Sequence, residues 1–544
     1  MYKRIIIVFS FFMVCISLLA INIYNISKGE WLQSAACSQN TYKLDIANLR
    51  GNIYDCQKNL LVNNQKVNIA AVAPCLESQN AILDTLSGKE RDDSAKLFCS
   101  ETPFTINLKD KKVCAKGVDL FKVPIRYSNK PLCIHTIGYL DSDNNGVIGI
   151  EKAYNDFLNE TGSHISVKYS VDALGRILNS DKKQIDNKAY LQTSGVVLTI
   201  DSRIQEIIED VGNKYIGSGA IIVTEVPSCK IRALASFPSF SMNNIKEALN
   251  DERSPFINRT ITSYNVGSIF KLVSAATALE KNIDKNEVYN CCGSIKVDEA
   301  KFDCFNGVGH GEVDMKNAIA YSCNSYFVNL SKKISPIDIW YMSKNLGFAT
   351  PIDLAPDFFS DKGNIPSKKE LANPKTMASF SFGQSSLMAA PIQISGLINT
   401  IASDGEYSVP QLVDGLINEN FDYIEKRQVP ESKKVISKEN AEYLKESMHA
   451  AVSYGTATKG KPKNFEAAAK TATAETGLQK DGKNIEQSWY AGFYPIDKPK
   501  YSVVVLAENG SGGGESCGPV FKEIADIIYE NLPSLLFDSN EPES

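Results

Sequence analysis

An apolar run of 17 residues, Ile5 to Ile21, follows Lys3 and Arg4, and no charge returns before Lys28. At about 1.5 Å per residue, a helix from Ile5 to Tyr24 covers roughly the 30 Å of a bilayer core. A cleaved signal peptide starts similarly, but no small-x-small site follows here and the uncharged stretch outruns a signal core. We expect a single-pass anchor over residues 1–27, its basic end in the cytoplasm and the rest of the chain outside. From 28 to 190 the pattern turns polar. Alternation over Lys66–Ala73 and Ile165–Tyr169 predicts short strands, with turns at Asn144–Gly146 and Asp172–Gly175 and a charged connector at Asp181–Lys188.

The pattern changes again after about Val196. Apolar runs Gly219–Glu225 and Cys229–Ser236 flank Val226-Pro227-Ser228 and predict a hairpin. Ser268–Lys281 carries Ile269, Leu272, Val273, Ala276 and Leu279 at helical spacing. Three strand-like runs follow late, Ala467–Thr473, Ser488–Tyr494 and Tyr501–Ala507, with a polar loop at Lys480–Asn484 between the first two. An amphipathic helix over Val520–Leu532 ends at Pro533, and the acidic tail Phe537–Ser544 is expected to fray. Strands early and late around a helical middle predict an α+β domain whose antiparallel sheet is flanked by helices.

Composition narrows the chemistry. The 544 residues suffice for two or three cores, and 58 Lys+Arg against 63 Asp+Glu give no nucleic-acid footprint. Only four histidines occur, which leaves few candidates for a histidine-based triad. Thirteen cysteines spread over so long a chain are not a disulfide framework.

A histidine-free nucleophile is available instead. Ser268 and Lys271 lie three apart on a helix apolar nearly all round, so the ammonium reaches the hydroxyl and burial lowers its pKa. Ser180-Asp181-Lys182-Lys183 has the same spacing in polar surroundings and reads as a solvated turn. In Ser322-Cys323-Asn324 a non-helical turn can aim the hydroxyl and amide into one cleft and Cys323 away from it. In Lys470-Thr471-Ala472-Thr473 alternation puts Lys470 and Ala472 on one face of a strand and the threonines on the other. Each pair or triplet alone is common; the order of all three is not.

Ser-x-x-Lys, Ser-x-Asn and Lys-Thr-Ala, separated by 54 and 148 residues between their first members, resemble the motifs of penicillin-binding proteins. Flanking text agrees: Asn258-Arg259, Gly309-His310-Gly311, Gly383-Gln384, Ala390–Gln393 and Trp489–Phe493. Arg50–Asp55 and Gly149–Asn155 resemble the non-catalytic module of monofunctional class B members, so the likeness runs from the anchor to about 533. It implies an anchor (1–27), a mixed pedestal module (28–190), a transpeptidase domain (191–533) and a tail (534–544), on the outer face of a bacterial cytoplasmic membrane. Two departures stand out: Cys56 and Gln57 replace the Arg and Asn of many relatives, and Ala472 replaces a glycine.

The resemblance implies a peptidoglycan D,D-transpeptidase that is inhibited by β-lactams and requires no cofactor. Ser268 is then the nucleophile and Lys271 its base. Ser322 and Lys470 relay the proton, while Asn324, Thr471 and Thr473 hold the donor stem peptide. The residues before Tyr190 leave no room for a glycosyltransferase domain, so a polytopic membrane glycosyltransferase is the expected partner. A β-lactam-hydrolysing or β-lactam-sensing relative, and a degenerate scaffold of the wall-synthesis complex, are the rival readings.

Two further expectations concern the site's surroundings. Cys292 (or Cys291), Cys304, His310 and Cys323 suffice for a tetrahedral structural zinc behind the second motif; a Cys292–Cys304 disulfide or free thiols are the alternatives. The Ala472 methyl, on the Lys470 face, is expected to press on the catalytic lysine and the Ser268 helix and to slow acylation.

Overall fold

The computed structural model describes residues 2–28, 41–172, 175–178, 183–187, 193–242, 245–480 and 483–536. Asp481 and Gly482 of the expected loop, parts of the Asp172–Gly175 turn and of the Asp181–Lys188 connector, Ser180, Cys37 and the acidic tail lie outside them. Helix α1 (Tyr2–Ser27) buries none of its residues and is long and apolar enough to cross a membrane.

The chain forms two compact units that interleave along the sequence. One comprises residues 1–51, 63–126 and 161–192; the other comprises 52–62, 127–160 and 193–544. The first holds two small antiparallel sheets. In one, Gln65–Val72 lies between Phe104–Lys109 and Val118–Ile125. In the other, Ser163–Ser170 lies between Thr41–Leu49 and Lys183–Asn187. The expected connector is therefore a strand over Lys183–Asn187, paired with Ile165–Tyr169. Its sequence carries a single apolar side chain, Ile185, because it closes a sheet edge exposed to water.

The second unit is built on a five-stranded antiparallel sheet. Its strands are β1 (Gly219–Glu225), β2 (Ile231–Phe237), β3 (Ala468–Lys480), β4 (Lys483–Tyr494) and β5 (Tyr501–Glu508), in the order β2-β1-β5-β4-β3. The side chains of β5 alternate. Val503 and Val505 join one core with the helices Ser202–Tyr215 and Gly518–Asn531. Val504 and Leu506 join another with α2 (Lys271–Glu280) and the buried helix Pro391–Ala402. A sheet buried on both faces explains why β5 runs apolar from Val503 to Ala507.

Asn52–Tyr54, from the segment likened to the non-catalytic module, pairs in parallel with Gly195–Leu198 of this unit. Asp55 follows, accepting hydrogen bonds from Gln57 N, Asn59 N and Ser202 Oγ at 2.9, 2.8 and 2.7 Å. At Gln57, one of the two departures, it is the backbone amide that makes this contact.

Candidate active site

Ser268 sits on a 3-10 turn, Gly267–Phe270, that runs straight into α2 and is tighter than the uniform helix the periodicity predicts. Gly267 has φ of +62°, a conformation that a side chain opposes. Its amide donates to Gly383 O at 3.1 Å, and a Cβ on Gly383 would come within 1.8 Å of Gly267 O. The Gly383-Gln384 pair thus holds the nucleophile turn by close backbone approach.

Lys271, fully buried at the start of α2, reaches four oxygens. Its Nζ lies 3.0 Å from Ser268 Oγ, 2.6 Å from Ser322 O, 3.1 Å from Ser322 Oγ and 2.7 Å from Asn324 Oδ1. Burial lowers its pKa to about 7, against a smaller upward pull from Cys323 and Cys304. Ser322 stands in a left-handed turn (φ +58°), and Asn324 opens the helix Asn324–Ser331. That turn aims both at Lys271 while Cys323 points into the core.

Lys470 on β3 is also fully buried and donates to Ser322 Oγ at 2.9 Å and to Thr471 O at 2.9 Å. Its pKa falls well below the usual lysine value, through burial first and the Lys271 charge second. Two ammonium groups converging on one hydroxyl repel each other, so neutral amine is favoured near pH 7. Ser268, Ser322, Asn324 and Thr473 remain half-buried in front of the two dry amines, and the Asn324 amide also donates to Asp303 O at 2.8 Å.

The threonines take the opposite face of β3. Thr471 Oγ1 lies 2.7 Å from Thr456 Oγ1, and Thr473 Oγ1 accepts from Gly513 N at 3.3 Å. Neither Thr456 nor Gly513 belongs to one of the three motifs. The run Gly512-Gly513-Gly514 carried the only signal for close approach; a Cβ on Gly513 would sit 2.2 Å from Trp489 O and 2.6 Å from Ala472 O. Ala472, 3% exposed, turns its methyl over Gly267, 3.3 Å from where a Cβ on that glycine would stand. The missing side chain of Gly267 makes room for the methyl that the sequence suggested would crowd the site.

Behind the second motif, Cys291, Cys304, His310 and Cys323 present four ligand atoms within 4.8 Å of one another. Cys291, not Cys292, is the fourth member. Strand Tyr289–Cys291 points its last side chain inward and leaves Cys292 exposed. All described cysteines are free, so no Cys292–Cys304 disulfide forms among them. Cys304 and Cys323 lie 3.9 Å apart; hydrogen bonds from Cys323 and Ser325 lower the Cys304 pKa, while the bond to Cys304 and burial push the Cys323 thiol up.

A serine, two dry lysines and a second serine converging beside a sheet edge define a serine acyltransferase site without histidine. Residues 219–526 match the family "Penicillin binding protein transpeptidase domain", and the chain belongs to it. It is 29% identical over 455 residues to "Stage V sporulation protein D" of Bacillus subtilis, spanning 79% of this chain and 67% of that protein. It is 25% identical over 563 residues to "Peptidoglycan D,D-transpeptidase MrdA" of Acinetobacter baumannii, spanning 90% and 82%. In fold it matches the "Complex between Penicillin-Binding Protein (PBP2) and MreC from Helicobacter pylori", with TM-score 0.65, 21% identity, and coverage of 90% and 99%.

Proposed function

We propose that this protein is a peptidoglycan D,D-transpeptidase that works through an acyl-enzyme on Ser268. The observation that carries the reading is Lys271 Nζ, buried and 3.0 Å from Ser268 Oγ with its pKa near 7. A neutral amine there has two N–H donors for Ser322 O and Asn324 Oδ1, and a lone pair for the Ser268 hydroxyl. Ser268 Oγ attacks the penultimate D-Ala carbonyl of a donor stem peptide while its proton passes to Lys271. The C–N bond then breaks, and Ser322, bonded to both lysines, relays a proton to the departing D-Ala amine. An amine of a second stem attacks the ester, forms the cross-link and returns the proton to Ser268.

Backbone N–H groups of Ser268 and Thr473 serve as the oxyanion hole, and Asn324, Thr471 and Thr473 hold the donor backbone and carboxylate. The edge position of β3 supports this, since an extended peptide can lie along it. Lys3 and Arg4 before α1 favour a cytoplasmic N-terminus and a catalytic unit outside. Glycan strands come from a partner, which we take to be a polytopic membrane glycosyltransferase.

The Cys291, Cys304, His310, Cys323 cluster fits a structural zinc. A tetrahedron with Zn–S of about 2.3 Å and Zn–N of about 2.0 Å has edges of about 3.5–3.8 Å. Here Cys291 Sγ lies 3.7 Å from Cys304 Sγ and 3.5 Å from His310 Nδ1. Zinc there would brace Cys323 from behind the cleft and take no part in the reaction.

The test is to supply a stem pentapeptide ending in D-Ala-D-Ala and an amine acceptor. Release of D-Ala with a cross-linked product is expected. Rapid penicillin hydrolysis without cross-linking would identify a β-lactam hydrolase, and neither reaction a scaffold.

A further inference from the structure

A second cavity of about 470 Å³ opens in the same unit, between the helix Pro336–Asn345 and the segment 362–370. Trp340 and Lys344, four apart on one helix face, form one side; Lys362, Asn364 and Ser386 form the other. Lys344 Nζ is held by two neutral acceptors, Ala349 O at 2.7 Å and Thr350 Oγ1 at 3.0 Å. Its pKa is lowered by burial and by the Lys362 charge, as expected when two cations face one space. Lys368, outside the lining, stacks its ammonium over the Trp340 and Tyr341 rings at 4.3 and 4.0 Å. The acid on the wall, Glu370, is already engaged. Its carboxylate caps the short helix that follows Ser367, accepting Ser367 N and Oγ at 2.7 Å each. Among the described residues, neither Lys344 nor Lys362 has a carboxylate partner.

The cavity is tied to the nucleophile by backbone. Asn364 and Met388 exchange hydrogen bonds of 2.8 and 2.9 Å, Met388 pairs with Asn265, and Gly383 O accepts from Gly267 N. A ligand here lies on the side of the 383–388 segment, which these backbone bonds join to the Ser268 turn, whereas the donor carboxylate is assigned to the threonines of β3.

We propose that this cavity binds the carboxylates of an acidic glycopeptide, the acceptor strand that resolves the acyl-enzyme. The inference rests on the transpeptidase reading and adds to it a separate acceptor subsite. Its volume lies within the usual range of ligand sites, and two lysines without a carboxylate partner beside an indole suit an anionic sugar-peptide.

The test uses the full chain in detergent, pre-acylated with penicillin so that the donor site is filled. Two probes are titrated: a disaccharide-tetrapeptide with free carboxylates, and the same compound with every carboxylate amidated. The acidic probe should bind about tenfold more tightly, and Lys344→Gln/Lys362→Gln should remove that preference. Should the double variant misfold, Lys362→Glu, at an exposed position, carries the same expectation. Equal affinity for both probes, or a preference unchanged in the folded variant, would overturn the proposal. Failure of penicillin to acylate the chain would instead count against the transpeptidase reading, and the comparison between probes would still decide the ligand class of the cavity.

Discussion

At the scale of single residues, the site depends on how dry Lys271 is. With its pKa near 7, the ammonium cannot accept the Ser268 proton at lower pH and the free amine can at higher pH. Acylation by penicillin should therefore rise with pH through about 7, reaching at pH 6 only about a tenth of its plateau rate. A flat profile from pH 6 to 8 would contradict Lys271 as base. The Gly267–Ala472 contact makes a second prediction. Gly267→Ala puts a side chain into the left-handed region, at a cost of roughly 1–2 kcal/mol, and against the Ala472 and Ala474 methyls. Acylation should fall about a hundredfold as the nucleophile shifts. Ala472→Gly should change the rate by no more than about twofold, because its methyl fills space that Gly267 leaves open. A large rise on that substitution would restore the crowding account.

The three motifs were legible because each needs only local spacing: a helical i,i+3 pair, a turn and an alternating strand. What escaped was decided by distant pairing. Thr456 reaches Thr471 only because the chain leaving the helix Lys438–Ser453 runs beside β3, with Thr456 N bonded to Ala320 O.

At the scale of elements, the short strand Tyr289–Cys291 selects which of two adjacent thiols turns inward. No pattern in Cys291-Cys292 alone could tell them apart. Protein purified without chelator should carry one zinc per chain. Cys291→Ser should lose it and lower the thermal midpoint by about 5 °C or more, while Cys292→Ser should keep both. Zinc-free folded wild type, or equal losses from the two variants, would reject the site. Lys183–Asn187 shows the complementary limit. Its charges read as a connector, yet backbone pairing to Ile165–Tyr169 makes it a strand.

At the scale of the whole molecule, the sequence divides the chain near 190, whereas its compact units interleave. Segments 52–62 and 127–160 join the unit that carries Ser268, through contacts such as Asn52–Tyr54 against Gly195–Leu198. Parallel pairing across more than a hundred residues leaves no local trace in composition. The apolar run of α1, by contrast, was plain from the residues alone. Full-length protein should stay in the membrane pellet through carbonate washing and leave it only with detergent; release by carbonate would contradict an anchor. Protease added to spheroplasts should digest the chain beyond Lys28 if the catalytic unit lies outside, and protection would reverse the orientation.

The central claim, that Ser268 is acylated with Lys271 as its base, is tested most directly by mass. Purified full-length protein treated with benzylpenicillin should gain one penicilloyl group. Peptide mapping should place it on Ser268, and both Ser268→Ala and Lys271→Ala should show none while keeping the wild-type circular dichroism. An adduct on any other residue, or one that persists in folded Ser268→Ala, would contradict the account.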